Sequence, residues 1–223
     1  SLTVRVLADE VLRLRFSLPG HSAFEDTSDM LVPFKGISPD CALTEEQTSW
    51  ILTFGSKRLI LHKDPVGLQI ESADGHSLFE TEDYPLAGTP LVGTLGFRCP
   101  LNSDLSPLTP SPYLSWKMHN GERFFGLGEK WNSVEKSSTR ATVWASDTCG
   151  SNSNDLSYKS IPYLLSSKGW GMFLHSGFRS LWEVGSFSYV SGSLATEDDK
   201  LDLFLFFGEP FKGLIGQYTE LTG

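Results

Sequence analysis

Apolar and polar side chains alternate one by one through much of this 223-residue chain. Leu12, Leu14 and Phe16 are separated by arginines, and the same alternation returns within residues 50–54 and 114–118. A side-chain period of two is typical of β-strands that have one buried face and one solvent-exposed face. Such segments recur about a dozen times, with turn residues between them, at the spacing of a β-sandwich. The pattern therefore predicts an all-β fold, a large antiparallel β-sandwich.

Short turn sequences indicate which strands are neighbours. Ala73-Asp74-Gly75 separates two apolar segments, and Lys168-Gly169 separates two others. Asn120-Gly121 lies between the apolar segments Leu114–Met118 and Arg123–Phe125. Asn-Gly is the strongest short signal for a hairpin, because both residues tolerate a positive φ. We therefore expect a hairpin at each of these three turns.

The second half of the chain predicts more strands and a single helix. The strands include Leu181–Val184, Phe187–Val190 and Leu201–Phe207. The helix covers about residues 209–223, with a proline in its first turn. Its apolar positions follow the i, i+3, i+4, i+7 spacing of an amphipathic helix: Phe211, Leu214, Ile215 and Tyr218.

Two segments of the chain have the composition of loops. Residues 102–112 contain three prolines, and residues 145–157 are polar without an apolar period. Neither segment marks a change in composition, and no internal repeat occurs. We therefore expect one domain over residues 1–223.

The charge and composition of the chain exclude several classes of partner. Lysine and arginine total 18 against 27 aspartates and glutamates, which gives a net charge of −9, and a surface of that sign repels nucleic-acid phosphates. The longest strongly apolar run, Leu203–Phe207, is far shorter than the ~20 residues of a membrane-spanning helix. Residues 1–5 have the character of a strand rather than a signal peptide, and the three cysteines suit a reducing compartment. We expect a cytoplasmic protein with no nucleic-acid and no membrane partner; an oligomer is compatible with the sequence.

Motifs for metals, cofactors and activated nucleophiles are missing from the sequence. The five histidines never fall at metal-ligand spacing. Gly126-Leu127-Gly128-Glu129 is only half of a dinucleotide fingerprint, and no Gly-x-Ser-x-Gly occurs. We therefore expect no metal and no cofactor, which leaves carboxylates as catalytic candidates. Asp147 and Asp155 share the polar loop, either as a glycosidase pair or as turn residues that accept backbone N–H groups.

Aromatic residues flank this polar loop. Trp144, Tyr158 and Tyr163 lie near it in sequence, and aromatic faces can stack on the C–H faces of sugars. The alternative is that Trp144 and Tyr163 are strand residues of the core. The charged pair Glu122-Arg123 and the run Glu197–Lys200 are expected at the surface.

Several segments together resemble glycoside hydrolase family 31, the α-glucosidase and α-xylosidase family. The order and spacing of these segments carry the resemblance from about residue 120 to the end, with softer similarity before it. The most telling segment contains Phe-Gly-Leu-Gly-Glu. The segments are Arg123–Glu129, Val143–Asp147, Tyr158–Tyr163, Lys168–Gly171 and Gln217–Gly223.

The resemblance implies that the chain is one part of an enzyme. The N-terminal domain of this family is a β-sandwich similar to galactose mutarotase, and a (β/α)8 barrel follows it. The barrel carries the nucleophile in a Trp-x-Asp-Met motif, and none of the six tryptophans here has Asp two positions later. The resemblance therefore implies a domain with no catalytic residue of its own, whose partner is its own C-terminal barrel. The whole enzyme would hydrolyse terminal α-glucosyl or α-xylosyl residues with retention, and the Asp147–Tyr163 stretch looks closer to the α-xylosidases.

The resemblance also implies a sugar-binding role for the polar loop. In the family this loop reaches over the barrel mouth, and its Asp helps to bind the sugar of an α-linked oligosaccharide or glycoside. Asp147 matches that position, and Thr148 and Cys149 follow it. A charge-assisted hydrogen bond from a sugar hydroxyl to this carboxylate would orient the ring. Ala145 occupies a position where the family often has Asn, so the support of this loop, and with it the preferred sugar, can differ from the family's usual pattern.

Two other functions stay open at this point. One is a free-standing carbohydrate-binding module without a barrel. The other is a mutarotase-like aldose epimerase, which needs a general acid and a general base in one cleft. The candidates for that pair are His119, His175, Glu129 and Glu183. If a barrel is absent from the chain, the apolar stripe of the C-terminal helix should lack part of its packing partner, so that its last turn frays or packs on another copy.

Overall fold

The computed structural model describes residues 1–18, 20, 24, 28–82, 95–98, 111–149 and 155–223. Within these residues sixteen strands form three antiparallel sheets, which confirms the prediction of an all-β fold. The first sheet has the order β1-β2-β16-β13-β12-β10, the second β3-β4-β5-β6-β7 and the third β11-β14-β15-β9-β8. The strands are β1 (Leu2–Ala8), β2 (Val11–Ser17), β3 (Cys41–Glu45), β4 (Ser49–Phe54), β5 (Lys57–Lys63), β6 (Val66–Ser72), β7 (Ser77–Glu80), β8 (Leu95–Arg98), β9 (Ser111–Lys117), β10 (Phe124–Gly126), β11 (Thr139–Val143), β12 (Tyr163–Ser166), β13 (Trp170–Leu174), β14 (Ser180–Ser188), β15 (Ser191–Thr196) and β16 (Lys200–Phe207).

The inward faces of the three sheets share one apolar core. Trp170 of the first sheet lies 5.1 Å from Phe79 of the second and 6.2 Å from Trp116 of the third, measured between ring centroids. Trp116 in turn lies 6.5 Å from Trp182 in the same sheet. Large aromatic side chains bury much apolar area each and favour such edge-to-face contacts. These rings therefore hold the sheets of the sandwich together.

Two of the three predicted hairpins are present, and the third is wrong. The 73–75 turn joins the paired strands β6 and β7, and Lys168-Gly169 joins the paired strands β12 and β13. Asn120-Gly121 instead follows β9 of the third sheet and precedes β10 of the first. The next residue, Glu122, accepts hydrogen bonds from Trp170 and Ser166 of the first sheet. These contacts direct the chain from the third sheet into the first.

The predicted strand Phe187–Val190 is also wrong. β14 runs without a break from Ser180 to Ser188, and Tyr189 and Val190 form the turn into β15. β15 is made of small residues, Ser-Gly-Ser-Leu-Ala-Thr, so it has little apolar alternation to detect. It pairs with β14 on one side and β9 on the other, and this central position determines its strand conformation.

The outer face of β2 is covered, although its alternation predicts a face in water. Arg13 and Arg15 are 5% and 7% exposed. Arg13 donates from Nε and Nη2 to the two carboxylate oxygens of Asp202, at 2.8 and 2.7 Å. His175 Nδ1 lies 3.1 Å from Asp202 Oδ2, and His175 Nε2 lies 2.7 Å from the hydroxyl of Ser28. The two arginines are therefore part of a buried charge network.

The C-terminal helix α1 (Lys212–Thr222) packs on the outer face of the first sheet. Leu214 and Leu221 are buried, and Tyr218 stacks on Tyr163 at 4.5 Å between ring centroids. Ile215, which the apolar stripe includes, is 47% exposed. The helix thus turns a face with i, i+4, i+7 spacing to the sheet, and whether its last turn frays in solution stays a prediction. Within the described residues, no helix has the length and apolar character that spanning a bilayer requires.

Candidate functional site

The Phe-Gly-Leu-Gly-Glu segment forms the base on which the polar loop stands. Leu127 and Glu129 donate their backbone N–H groups to the carbonyls of Tyr163 and Lys159, at 2.9 and 2.8 Å. Gly126 has φ +108° and Gly128 φ +77°, backbone conformations that glycine adopts freely and other residues rarely adopt. A Cβ at either position would lie 2.3 Å from one of those same two carbonyl oxygens. The segment therefore fits against 159–163 only without side chains at these positions.

The polar loop is closed at its base by backbone and carboxylate contacts. Ala145 forms a parallel bridge with Ser157, and Ser146 N donates to Ser157 O at 3.0 Å. Asp155 accepts the backbone N–H of Thr142. Lys130 donates to the carbonyls of Thr142 and Asp155, at 2.5 and 2.6 Å. Asp155 thus acts as a turn residue that joins the two ends of the loop, rather than as one half of a catalytic pair.

Asp147 lies on the exposed part of this loop. Its Oδ1 accepts hydrogen bonds from the hydroxyl of Tyr158 at 2.7 Å and from the backbone N–H of Cys149 at 2.9 Å. The Tyr158 hydrogen bond, followed by the contacts of Cys149, lowers the pKa of Asp147 below its ordinary value, because both favour the ionised carboxylate. The group is therefore a carboxylate at neutral pH, held in one orientation, and Oδ2 receives neither of these two donors.

The two residues after Asp147 differ in their surroundings. Cys149 is exposed and has φ +47°, an uncommon value for a residue other than glycine. Thr148 is half-buried, and its hydroxyl has no hydrogen-bond partner among the described residues. The same holds for the buried hydroxyls of Ser157 and Ser160 at the base of the loop. The loop thus combines one oriented carboxylate with several hydroxyls that the described chain leaves unpaired.

Exposed aromatic side chains surround the loop. Trp144 is 44% exposed, Tyr158 51% and Phe178 56%. Trp144 and Phe178 line a surface cleft of about 300 Å³ together with Met30. Tyr163, by contrast, is buried and donates its hydroxyl to the carbonyl of Leu214 in α1. Of the flanking aromatics, Tyr163 is therefore a core residue, whereas Trp144 and Tyr158 face outwards.

The four candidates for an epimerase acid and base lie on different elements. His175 follows β13 and belongs to the Asp202 network, whereas Glu183 lies in β14 of another sheet, near Arg140. Glu129 is exposed after β10. His119 lies in the Asn-Gly turn. This placement gives the epimerase hypothesis no support, and in the described part of the chain no cluster of three or more His, Cys, Asp or Glu could hold a metal.

The expectation that Glu122 lies at the surface is wrong. Glu122 is 6% exposed, and its Oε1 accepts from Trp170 Nε1 at 2.8 Å and from the Ser166 hydroxyl. Its Oε2 accepts from the backbone N–H of His119 at 2.8 Å. Burial of a carboxylate requires such donors. Its neighbour Arg123 is exposed, as expected.

The run Glu197–Lys200 is only partly at the surface. Glu197 is exposed, but Asp198 is 7% exposed and accepts from the Ser176 hydroxyl at 2.7 Å. Burial raises the pKa of Asp198, and the Ser176 hydrogen bond offsets part of that effect. No feature of the local sequence separates the buried carboxylates from the exposed ones, since the donors come from distant segments.

Comparison with known proteins decides the family. The profile described as the glycosyl hydrolase 31 N-terminal galactose mutarotase-like domain matches residues 1–183. The chain belongs to this family. Over 104 residues it is 35% identical to an α-xylosidase of Emericella nidulans, which covers 46% of the chain and 13% of that protein. Over 227 residues it is 23% identical to an isomaltosyltransferase of Sporosarcina globispora, which covers 97% of the chain and 18% of that protein.

The family assignment agrees with solved structures. A family 31 dextranase of Flavobacterium johnsoniae, in complex with isomaltotriose, superposes with a TM-score of 0.80 at 25% identity. The superposition covers all of this chain and 25% of the dextranase. An α-xylosidase from a soil metagenome has the same fold, with a TM-score of 0.76. The chain thus spans about a third or less of the length of these family 31 relatives, and its fold is that of their N-terminal domain.

Proposed function

We propose that this domain supports the catalytic barrel of a family 31 glycosidase and that its polar loop contributes to the sugar subsite. The whole enzyme would hydrolyse terminal α-xylosyl or α-glucosyl residues with retention. The domain itself, as one unit over residues 1–223 with α1 leading to the barrel, carries no catalytic residue. The observation that supports this most strongly is Asp147, an oriented carboxylate on an exposed loop beside exposed aromatic residues.

Asp147 would act by positioning the sugar. Tyr158 and Cys149 fix the carboxylate through Oδ1, so that Oδ2 can accept hydrogen bonds from sugar hydroxyls. Tyr158, which contacts this carboxylate, and Trp144, three residues before it in the chain, would offer their exposed ring faces to the sugar. Thr148 and Cys149 would complete the polar edge of the subsite. Holding the ring in one orientation lowers the barrier for the groups on the barrel, which perform bond cleavage.

The test uses the polypeptide encoded by the complete reading frame and the nitrophenyl α-xyloside and α-glucoside. Asp147→Ala should lower kcat/KM roughly 10- to 100-fold, because a hydrogen bond to a charged group contributes about 1.5–3 kcal/mol. Tyr158→Phe should lower it by a smaller factor, since it only frees the carboxylate to rotate. Asp40→Ala, which removes an exposed carboxylate before β3, is the matched control. Unchanged kinetics in Asp147→Ala would contradict the proposed role.

The cellular compartment is proposed to be the cytoplasm. Cys41 and Cys149 are both exposed and unpaired, and unpaired exposed thiols persist in reducing compartments; Cys99 lies outside the described residues. Fractionation of the source cells tests this, and recovery of the protein from the culture medium would contradict it.

A further inference from the structure

A second surface cleft lies at the other end of β11 from Asp147. β11 starts at Thr139 and leads at its far end into the polar loop. The cleft, with a volume of about 340 Å³, lies at the Thr139 end, between the 118–122 turn, Ser137-Ser138, Gly185 and the tip of the β14–β15 hairpin. Its size falls in the lower part of the range for small-ligand sites. It shares no residue with the polar loop, and the function proposed above does not use it.

One wall of this cleft is an exposed aromatic ring. Tyr189 is 88% exposed and Val190 57% exposed, and both line the cleft at the hairpin tip. Phe187, near the end of β14 and just before the tip, is 55% exposed. The Tyr189 ring buries little area within the domain, and its face can cover the apolar face of a ligand.

The floor of the cleft offers polar groups with both donor and acceptor character. The ring nitrogens of His119, the amide of Asn120 and the hydroxyl of Ser138 make no hydrogen bond to any other residue that the structure describes. An imidazole, an amide and a hydroxyl can each donate and accept. They therefore match a ligand whose groups also both donate and accept hydrogen bonds, as sugar hydroxyls do.

The backbone around these groups is fixed in advance. The buried carboxylate of Glu122 holds the 118–122 turn through His119 N, Trp170 Nε1 and the Ser166 hydroxyl. On the other side, the pairing of β11 with β14 is irregular at Thr139, where Gly185 has φ +71°. Ser138 itself has φ +59°, a strained value of the kind that accumulates at binding sites. A rigid site loses less conformational entropy when a ligand binds.

The charge of the cleft selects against ionic ligands. No lysine or arginine is among the residues that line it, so nothing there compensates a phosphate or a carboxylate. Both oxygens of Glu122, the one acidic residue of the cleft, accept hydrogen bonds from donors of the protein.

We propose that this cleft is a second saccharide-binding site, in which Tyr189 stacks on a pyranose ring while His119, Asn120 and Ser138 hydrogen-bond its hydroxyls. Such a site would hold the enzyme on a polysaccharide while the chain end is cleaved elsewhere.

Affinity electrophoresis of the 223-residue chain tests the proposal, with soluble dextran in one gel and xyloglucan in another. The wild-type chain should be retarded in at least one of them relative to a gel without polysaccharide. Tyr189→Ala should weaken binding roughly fivefold or more, the effect of losing one stacking contact. Trp131→Ala is the matched control, because it removes an exposed aromatic ring that belongs to neither proposed site. His119→Ala should also weaken binding.

Several results would overturn the proposal. The first is a wild-type chain that migrates alike in all gels. The second is a Tyr189→Ala chain that is retarded as strongly as wild type, and the third is an equal loss of retardation in Tyr189→Ala and Trp131→Ala. If Tyr189→Ala changes the sedimentation coefficient of the chain but not its retardation in the gel, the hairpin tip contacts another protein chain and not a saccharide. The sugar subsite around Asp147 is tested by the kinetics of Asp147→Ala in the complete polypeptide, so failure of that subsite and failure of this site are separate outcomes.

Discussion

The carboxylate of Glu122 joins three segments of the chain. It accepts hydrogen bonds from Trp170 and Ser166 of the first sheet and from His119 in the turn that leaves the third sheet. Because all three donors point at one acceptor group, they fix the place where the chain crosses between the sheets. Both the core contacts of Trp170 and the shape of the second cleft depend on this residue.

Replacing Glu122 with glutamine should therefore destabilise the domain despite the similar size. An amide group presents an N–H₂ to at least one of these donors, which leaves buried polar groups unsatisfied. We expect the free energy of unfolding in urea to fall by about 1–3 kcal/mol. The exposed Glu129→Gln should change it by less than about 0.5 kcal/mol. Equal stability of the two variants would show that the Glu122 contacts contribute little.

The Asp202 network makes stability depend on pH. Burial disfavours the ionised form of Asp202, but the hydrogen bonds from Arg13 and His175 and the charges of Arg13 and Arg15 outweigh it, so that its pKa is lowered. The unfolded chain then binds this proton more tightly than the folded one. The stabilising contribution is present above the ordinary aspartate pKa of about 3.9 and is lost as the pH falls through the folded-state value.

We expect urea midpoints measured between pH 7 and pH 3 to fall steeply at the acid end for the wild-type chain. Asp202→Asn should lower the stability at pH 7 by about 3–5 kcal/mol, because it leaves buried arginine charge uncompensated, and should flatten the acid limb. The exposed Asp40→Asn should keep the wild-type profile. If Asp202→Asn loses stability at acid pH in parallel with the wild type, other carboxylates are responsible.

Individual side chains were only partly predictable from the sequence. The glycines of Phe-Gly-Leu-Gly-Glu could be assigned to special backbone conformations, because only glycine takes positive φ freely. Glu122, Arg13 and Arg15 could not be recognised as buried, since their partners are far away in sequence. Local patterns record what a residue prefers, whereas burial of a charge depends on which distant donors the fold supplies.

At the scale of elements, the contact between residues 126–129 and 159–163 positions the polar loop. Two segments about thirty residues apart in the chain meet through hydrogen bonds of Leu127 and Glu129. Gly126 and Gly128 lie so close to the opposite segment that a Cβ at either position would be 2.3 Å from a carbonyl oxygen. The orientation of Tyr158, and through it Asp147, follows from this contact.

The substitution Gly128→Ala separates the steric part of this contact from backbone strain. Gly128 and Gly75 have φ +77° and +83°, but only a Cβ at 128 would meet other atoms, with Lys159 O at 2.3 Å. Gly75→Ala should lower the unfolding free energy by about 1–2 kcal/mol, the cost of the left-handed conformation. Gly128→Ala should lower it by clearly more, as measured by urea unfolding. Equal losses would mean that the 159–163 segment moves aside at little cost.

At the sequence level, strands were predictable where they are rich in apolar side chains. β2 was detectable from alternation and β6, β13 and β16 from their apolar residues, whereas β15 was not detectable, because it is made of small residues between two partners. The helix was predicted from its spacing, but its buried face includes Leu221 and excludes Ile215. The order of strands in the sheets followed from no local signal, as the Asn120-Gly121 turn demonstrates.

At the scale of the whole molecule, the two sites proposed above lie at opposite ends of β11. The polar loop with Asp147 lies beyond one end of β11, and the cleft with Tyr189 lies at the other. The family resemblance carried by the motifs after residue 120 gave the fold and the expected sugar contact. The second cleft could not be foreseen, since it is assembled from a turn, a strand irregularity and a hairpin tip that only the fold brings together.

The central claim is that bond cleavage requires the barrel and that this domain contributes no catalytic residue. Turnover of nitrophenyl α-xyloside and α-glucoside, measured side by side for the 223-residue chain and for the product of the complete reading frame, tests it most directly. We predict release of nitrophenol by the longer polypeptide and none above the buffer rate by the chain alone. Turnover by the 223-residue chain, or its absence from both proteins, would contradict the claim.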